Sequence, residues 1–352
     1  MSEGIVGTCS LMCPDEERRF RERKGWLHRF EIDDSQKHSR RPNADNKKII
    51  KCYIRSGPGK SLIRQEELRP GPVLLSTLQY LFTQIATRSD ADWAVIYNFI
   101  FDRLRAIRQD MTVQRLDSVT TIQILEPIVR FHVYSAQRLC DRSLEEFVPK
   151  FNDDHLLECI KELLVRYDER DRHPKNLFCS NRAQMETLYV LLYLGNCAAI
   201  ERALSLPLEY KESPSMRMAL KISRAWYLKN YVKVCRLIVK LSPLMAMAAI
   251  TNLPKIRRDA LLIMSAAYNS TQLSYPSDHL RKILLFKNKD LLHNECRHFG
   301  LEVIHGNIRF EMFKFKKEEK NGHLQKVFSD DMLNSFLPNI ILHDVNSVGS
   351  EK

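Results

Sequence analysis

The stretch SDADWAVIYNFIFDRLRAIRQDM, residues 89–111, decides the fold of this 352-residue chain. Apolar side chains recur in it at intervals of three and four residues, at Trp93, Ile96, Tyr97, Ile100, Leu104 and Ile107. This spacing places them on one face of a long α-helix. Ser89 is a typical N-cap residue and the acid Asp92 follows three positions later, so the helix is predicted to begin just after Ser89.

The chain beyond this stretch keeps a helical character as far as residue 269. The next helix is predicted to open at Thr112, and further helices are predicted at 153–169, 181–194, 197–205, 214–229, 231–241, 243–250 and 254–269. The chain has only 11 glycines, which also favours helices. Short helices in series are typical of a helical stack, here without a clean sequence period.

The pattern changes after residue 277. Two short helices are predicted, at 278–286 and 287–300, the second ended by Gly300. The segments LEVIHGNIRF (301–310) and EMFKFKKEE (311–319) alternate apolar and polar residues, which predicts a β-hairpin around His305-Gly306-Asn307. Helix, helix and hairpin in this order are typical of a winged helix. The later segment VFSDDMLNSFLPNIIL (327–342) has enough apolar residues to dock on the fold.

Composition divides the chain into four predicted regions. Residues 1–70 are polar, charged and broken by prolines, and they predict a partly irregular N-terminal arm that lies on the main domain. Residues 71–276 are predicted to form the helical-repeat domain. Residues 277–320 are predicted to form the winged-helix module, and residues 321–352 a C-terminal tail.

Charge and cysteine usage narrow the class of protein. The net charge of +12 favours a polyanionic partner: nucleic acid, an acidic protein or an acidic membrane face. The alternative is a basic protein that binds no polyanion. The nine cysteines are odd in number and scattered, and several lie inside apolar helical patterns, which is typical of a reducing compartment. The sequence has neither a signal-peptide pattern nor a run of about 18 apolar residues. We therefore expect the nucleus or cytoplasm and no membrane partner.

Two groups of side chains resemble metal sites. Cys9 and Cys13 lie four apart, and the segment HNECRH offers His293, Cys296 and His298. Structural zinc sites usually pair two close-spaced ligand couples, and neither group has a second couple. We therefore predict no metal, and a packing role for the two N-terminal cysteines.

No enzymatic motif stands out. The segment SGPGKS (56–61) resembles a P-loop, but Ile54 stands where the first glycine is needed and Pro58 lacks an amide hydrogen. We expect a plain turn there. Nucleophile motifs such as G-x-S-x-G are also absent from the sequence. The sequence therefore predicts a non-enzymatic protein without a cofactor.

Basic residues are concentrated near the C-terminal end. Between positions 281 and 317 there are nine Lys or Arg against four acids. A winged helix would use them on its recognition helix and its wing, at Lys287, Lys289, Arg297, Arg309, Lys314, Lys316 and Lys317. Such contacts would neutralise phosphates without reading bases. The alternative is that the module packs against another protein and the charges stay solvated.

The long helix carries three arginines, Arg103, Arg105 and Arg108, between Asp102 and Asp110. They could form a row that binds phosphates. The nearby acids favour the other interpretation, an internal ion-pair network between neighbouring helices.

Several motifs together resemble the SAC/GANP family. GTCSLMCPDEERRFRE (7–22) is similar to the family's opening signature, although Ser10 stands where the family usually has proline. RPGPVLLSTLQYLF (69–82) and YNFIFDRLRAIRQDMTVQ (97–114) are similar to its next segments, and the second of these is the family's most distinctive stretch. IVRFHVYSAQRLC, IRRDALLIMSAAY and CRHFGLEV follow in the same order. The resemblance runs from Gly7 to about residue 315.

The resemblance implies a mainly α fold: a PCI-like stack of antiparallel helices that ends in a winged helix with a small β-hairpin. It implies a scaffold of the kind found in the TREX-two mRNA-export complex. There the partners are a second PCI-domain protein and a small acidic subunit, which would suit a basic chain. Paired winged helices form a basic surface for nucleic acid. It also implies a structural role for the signature residues Cys9, Cys13, Asp102, Arg103, Arg105, Arg108 and Asp110.

The chain departs from the large scaffolds of the family. It has no phenylalanine-glycine repeats, no long C-terminal helix for centrin-type subunits and no acetyltransferase-like region. It therefore resembles the short, stand-alone SAC-domain proteins, which are associated with centrosome duplication and the mitotic spindle as well as the nucleus. Two expectations follow: a TREX-two-like scaffold that contacts RNA, or a centrosome or spindle regulator that acts by binding proteins.

Overall fold

A computed structural model describes residues 5–36, 38–55, 64–172 and 181–342. Within these ranges the chain is mainly helical, with a small antiparallel sheet. The elements, in chain order, are α1 (Asp15–Lys24), α2 (Gly71–Tyr80), α3 (Trp93–Gln114), α4 (Ser118–Arg138), α5 (Pro149–Asp171), α6 (Arg182–Leu192), α7 (Cys197–Ser205), α8 (Leu208–Lys211), α9 (Pro214–Tyr227), α10 (Tyr231–Ile238), α11 (Pro243–Ile250), α12 (Leu253–Ala267), α13 (Ser277–Ile283), α14 (Lys289–His298), β1 (Glu302–Ile304), β2 (Asn307–Arg309), α15 (Asp330–Phe336) and α16 (Asn339–Leu342).

The chain forms two compact units. Unit 1 comprises the described parts of 1–132, 154–176 and 330–352. Unit 2 comprises the described parts of 133–153 and 177–329. The four regions predicted from composition are a different division, and they stay a prediction.

The long helix α3 has the predicted apolar face but different ends. All six apolar residues of the predicted stripe are buried. The helix begins at Trp93, because the Asp92 side chain accepts a hydrogen bond from the Ala94 amide at 2.8 Å. The predicted start after Ser89 is therefore wrong. The predicted start of the next helix at Thr112 is also wrong: α3 continues to Gln114, and α4 begins at Ser118.

Helix α3 is buried on its polar side as well as its apolar side. On the apolar side, the rings of Tyr97 and Phe131 stack with centroids 5.8 Å apart. On the polar side, Arg103, Asp110 and Gln114 are buried beneath the N-terminal arm, by which we mean the described residues of 5–70. A charged helix face at the interior needs a partner for every charge, and the arm supplies those partners.

Unit 2 contains the predicted series of short helices. Helices α7 and α11 have the predicted bounds, and α6, α9, α10 and α12 agree with prediction to within three residues at each end. Helix α6 packs against α9 and α11, and α10 packs against α9. Gly195 turns the chain between α6 and α7 with φ +84°, and a Cβ there would lie 2.6 Å from Trp226 Nε1. The turn therefore requires glycine.

Two helices and a hairpin follow the stack, in the predicted order. Strands β1 and β2 are antiparallel, with Val303 opposite Ile308. The turn consists of His305 and Gly306, both with positive φ, while Asn307 already belongs to β2. Gly300 ends the second helix with φ +81°, and a Cβ there would collide with the carbonyl oxygen of residue 314. The chain after the hairpin passes that close to the helix end.

The segment EMFKFKKEE does not form the predicted strand. It contains a 3-10 turn at Met312–Lys314 instead. Phe315 stacks on Phe299 with centroids 5.4 Å apart, and the Lys316 amide donates to the Phe299 carbonyl at 2.9 Å. Phe313 and Phe315 are two positions apart, so a strand would place both on one face, yet Phe315 is buried and Phe313 is exposed. The segment is therefore held by packing of Phe315 on the end of α14 and not by a ladder of hydrogen bonds.

The segment 327–342 docks within unit 1 through its last part. Leu333 in α15 and Ile341 in α16 are fully buried. The Arg130 guanidinium of α4 donates to the Ile341 carbonyl at 3.4 Å. Leu333 and Ile341 therefore dock as the sequence suggested, whereas Val327 and Met332 of the same segment are exposed.

Candidate functional site

The first candidate site is the buried carboxylate of Glu31, on the N-terminal arm. Its Oε2 accepts hydrogen bonds from the Arg21 guanidinium and from the His28 amide at 3.0 Å. Its Oε1 accepts from Arg103 Nη2 at 2.9 Å and from the Ile50 amide at 3.2 Å. One carboxylate thus gathers two parts of the arm and the middle of α3.

The neighbouring guanidiniums keep the Glu31 carboxyl ionised. Burial opposes ionisation of this carboxyl, but the guanidiniums of Arg103 and Arg21 outweigh burial and hold its pKa below the usual range. Burial also opposes the charge on Arg103, and Glu31 outweighs it there, so the pKa of Arg103 is raised. The cluster is therefore ionised at neutral pH, with positive and negative groups compensating each other.

A second buried cluster surrounds Asp110, two turns further along α3. Its Oδ1 accepts from Lys51 Nζ at 2.6 Å and its Oδ2 from Arg69 Nε at 2.7 Å. Gln114 extends the cluster: its Oε1 accepts from the Gly7 amide at 2.8 Å and its Nε2 donates to the Arg69 carbonyl at 2.8 Å. Three segments of the arm that are distant in sequence are thus tied to one helix end.

The remaining signature residues of α3 have separate partners. Asp102 accepts from Arg103 Nη1 at 2.6 Å. The Arg105 guanidinium lies 3.7 Å from the centroid of the Tyr53 ring. Arg108 pairs with Glu158 of α5 at 3.1 Å. Arg108 thus makes the predicted ion pair between helices, whereas Arg103 pairs with Glu31 of the arm and with Asp102 of its own helix. The three arginines have different partners and do not line up as a phosphate-binding row.

The two signature cysteines are buried within the arm. The Cys9 thiol donates to the Leu11 carbonyl, and the Cys13 thiol to the Pro14 carbonyl. Burial raises the pKa of both thiols, and it raises the pKa of Cys52 to about 12. These thiols stay protonated at neutral pH and pack as small apolar groups.

The side chains of HNECRH do not converge. His293 is hydrogen-bonded to the Ser277 hydroxyl at 2.9 Å, His298 to the Lys320 carbonyl at 3.0 Å, and Cys296 is buried. Among the described residues no group of three or more His, Cys, Asp or Glu side chains is placed to hold a metal ion.

The segment SGPGKS lies outside the described residues. In the described ranges no helix is long and apolar enough to span a bilayer.

Four of the seven basic residues predicted to bind nucleic acid have carboxylate partners. Lys314 bridges Glu302 at 2.7 Å and Glu311 at 2.8 Å, and Arg309 shares Glu302 at 3.5 Å. The hydrogen bond from Lys314 lowers the pKa of Glu302. The other two pairs join Lys289 to Asp278 at 2.8 Å and Lys316 to Glu319 at 4.0 Å. The hairpin is therefore covered by paired charges.

Lys287, Arg297 and Lys317 are different: they are exposed, and none has a carboxylate within 4 Å among the described residues. In the same module the Phe313 side chain is 95% exposed. Phe313 is not among the residues predicted from the sequence to bind nucleic acid. The strand pattern gives no signal for it, because Phe313 and Phe315 are two positions apart and a strand would place both on the same face.

A comparison with known proteins assigns the chain to a family. The fold defines a class: a mainly helical protein with an arm ion-paired to one long helix and a helix–hairpin module near its end. The sequence model of the SAC3/GANP family matches residues 12–305, which is most of the chain. The chain therefore belongs to the SAC3/GANP family, and membership of this family supports a scaffold role.

Three similar proteins are longer than this chain. It is 26% identical to SAC3 family protein 1 of Schizosaccharomyces pombe, over 97% of this chain and 35% of that protein. It is 27% identical to Protein xmas of Drosophila melanogaster, over 86% and 15%. It is 28% identical to SAC3 family protein B of Arabidopsis thaliana, over 76% and 16%. The chain thus spans about a third or less of the length of these relatives.

Proposed function

We propose that this chain is a non-enzymatic scaffold in a TREX-two-like complex, linked to nuclear mRNA export, and that it contacts RNA through a winged-helix module at residues 277–320. Family membership supports the scaffold role. The buried clusters around Glu31 and Asp110 support it too, since their charges are used to hold the arm on α3.

The observation that carries the RNA part is the exposed set of Arg297, Lys317 and Phe313. Cations without a protein carboxylate partner are available to neutralise phosphates, and this contact is independent of sequence. The exposed ring of Phe313, in the same module, offers a face on which a base can stack. Cations and one ring together suit single-stranded RNA better than a duplex, whose bases are already stacked.

The partners follow from the same proposal. A second PCI-domain protein and a small acidic subunit would complete the complex, and the net charge of +12 favours an acidic subunit. A protein of this kind would be found in the nucleus and the cytoplasm.

The test reverses three charges: Arg297→Glu, Lys316→Glu and Lys317→Glu in one variant. The affinity for a single-stranded RNA is measured across a series of salt concentrations. Each lost phosphate contact lowers the slope of log K against log salt by about 0.7, so three lost contacts lower it by about 2. A Phe313→Ala variant should weaken binding without changing that slope.

The matched control carries Lys221→Glu, Lys233→Glu and Lys240→Glu, three exposed lysines of unit 2 that lie in α9, in α10 and just after α10. It changes the net charge equally and should leave most of the slope in place. If the test variant binds RNA with the slope of the unmodified protein, the RNA part of the proposal is wrong.

A second candidate function is that of a centrosome duplication and spindle regulator that acts by protein binding. Large apolar side chains exposed on the stack of unit 2 favour it, among them Leu204, Leu208, Leu228 and Val239. Such a regulator should co-sediment with centrosomes after nuclease treatment. Loss of co-sedimentation on nuclease treatment would contradict this second function and favour binding through RNA.

A further inference from the structure

A pocket of about 360 Å³ in unit 2 is lined almost entirely by basic and apolar side chains. It lies between α12, the chain that follows α13, and the segment 325–327. Five cations line it and no carboxylate does: Arg257, Arg281, Lys282, Lys287 and Lys326. Like charges repel in a confined space, so such a convergence is favourable mainly when an anion enters.

Arg257 forms the fixed base of this pocket. Its side chain is only 1% exposed, and it donates from Nε to the Leu284 carbonyl at 3.0 Å and from Nη2 to the Leu285 carbonyl at 2.6 Å. The guanidinium also lies 3.9 Å from the centroid of the Phe286 ring. Burial lowers the pKa of Arg257 to about 10, which leaves it charged at neutral pH. For Nη1 the described residues provide no hydrogen-bond partner.

The loop after α13 is held in an unusual shape around this guanidinium. Leu285 has φ +57°, a left-handed conformation that side chains other than glycine seldom adopt. It closes the end of α13, where the Phe286 amide donates to the Arg281 carbonyl at 3.0 Å. The loop is also tied to Arg257 by two carbonyls, and Arg281 Nη1 reaches the Lys287 carbonyl at 3.4 Å across it.

The opposite wall comes from the segment 325–327. Lys326 contributes a cation that pairs with Asp141 at 3.3 Å. The Gln325 side chain also lines the pocket, and its buried Oε1 has no hydrogen-bond partner among the described residues. This oxygen can accept a hydrogen bond from a hydroxyl group or a protonated phosphate oxygen of a ligand.

We propose that this pocket binds a compact ligand that carries several phosphate groups, held by the basic side chains around Arg257. A single phosphate would leave most of a 360 Å³ space empty, and it would neutralise only part of the charge of the four lining cations other than Lys326, which pairs with Asp141. Two or three linked phosphates match both the volume and the charge. The ligand is either a small soluble oligophosphate or the phosphorylated end of an RNA strand, because both present the same chemistry.

This proposal does not depend on the RNA surface proposed above. The surface test changes Arg297, Lys316 and Lys317, none of which lines the pocket. The two proposals can therefore fail separately.

The test measures binding of tripolyphosphate to the full chain by calorimetry at a fixed salt concentration, with inorganic phosphate as a comparison. The pocket variant carries Arg281→Gln, Lys282→Gln and Lys326→Gln, which leaves Arg257 and its loop contacts in place. We expect tripolyphosphate to bind more tightly than inorganic phosphate. The pocket variant should weaken its binding by about tenfold or more, since charge-assisted hydrogen bonds are lost.

The control variant carries Lys221→Gln, Lys233→Gln and Lys240→Gln, with the same loss of charge elsewhere in unit 2. It should bind tripolyphosphate within about twofold of the unmodified protein, because exposed charges at a distance are screened by salt. Equal weakening in the two variants would mean diffuse attraction and would overturn the proposal, as would an unmodified protein that does not bind tripolyphosphate.

Competition between tripolyphosphate and RNA distinguishes the two sources of the phosphates. If tripolyphosphate displaces 5′-triphosphorylated RNA but not the same RNA with a 5′-hydroxyl, the pocket holds a strand end. If it displaces neither and still binds, the pocket holds a soluble ligand. Arg257→Lys keeps the charge but loses the paired carbonyl contacts, and it should weaken tripolyphosphate binding even where melting temperature is maintained.

Discussion

Glu31 and Glu302 are both glutamates that pair with two cations, yet one stabilises the fold and the other affects the surface charge. Glu31 is fully buried and lies between Arg21 and Arg103. Glu302 is half exposed and lies between Arg309 and Lys314. Removing a partner from a buried pair leaves an uncompensated charge, whereas water compensates the loss at the surface. The same chemical group therefore fixes the fold in the N-terminal arm and tunes the surface charge on the hairpin.

The largest effect on stability is expected from a substitution at the buried glutamate, Glu31. Glu31→Gln should lower the free energy of unfolding by about 3–5 kcal/mol, because two guanidiniums lose their buried counter-charge. Denaturant unfolding followed by circular dichroism measures it. Glu302→Gln is the matched control and should unfold close to the unmodified protein. Similar losses in the two variants would mean that burial does not separate the two glutamates.

The pH dependence of stability is a second test of the role of the buried Glu31. The folded-state pKa of Glu31 lies below its unfolded value, so its contribution to stability is present above the unfolded value of about 4.3. That contribution is lost as the pH falls through the folded pKa. We expect the melting temperature to fall as the pH is lowered below about 5, and to fall less in Glu31→Gln. Parallel melting curves of the two proteins across this range would contradict the assignment.

The smallest expected effect concerns the exposed member. Glu302→Gln removes the carboxylate that pairs with Arg309 and leaves Lys314 with Glu311 alone, so both cations become more available to phosphates. The affinity for single-stranded RNA should rise about two- to threefold at low salt and less at high salt. Glu201→Gln, at an exposed acid of α7, provides the control for net charge. A fall in RNA affinity in Glu302→Gln alone would show that the hairpin does not face RNA.

Part of the fold could be predicted because the relevant forces act within a few residues. The apolar stripe of α3 and the bounds of α7 and α11 follow from helical periodicity and short-range capping. Helix ends are harder to predict, because neighbouring residues compete for the same role. Asp92 and Ser89 both suit an N-cap, and the structure uses Asp92.

Part of the candidate site could not be predicted, because it depends on contacts between distant positions. Asp110 pairs with Lys51 and Arg69, which are 59 and 41 residues away. The sequence around Lys314 predicts an open cation, but Glu302 and Glu311 neutralise it once the hairpin forms. The pocket around Arg257 gathers three separate segments, and their basic residues form no motif in the sequence.

The helical class of this protein, the order of its elements and its family follow from the sequence, because periodicity and motif spacing are local properties of the chain. Which charges are buried, which are paired and which remain open depends on the tertiary structure. The reason is physical: the strength of a charge interaction depends on distance and on exclusion of water, and both are set when remote segments meet. Glu31 and Glu302 are the same residue in the sequence, and the fold alone makes one structural and the other adjustable.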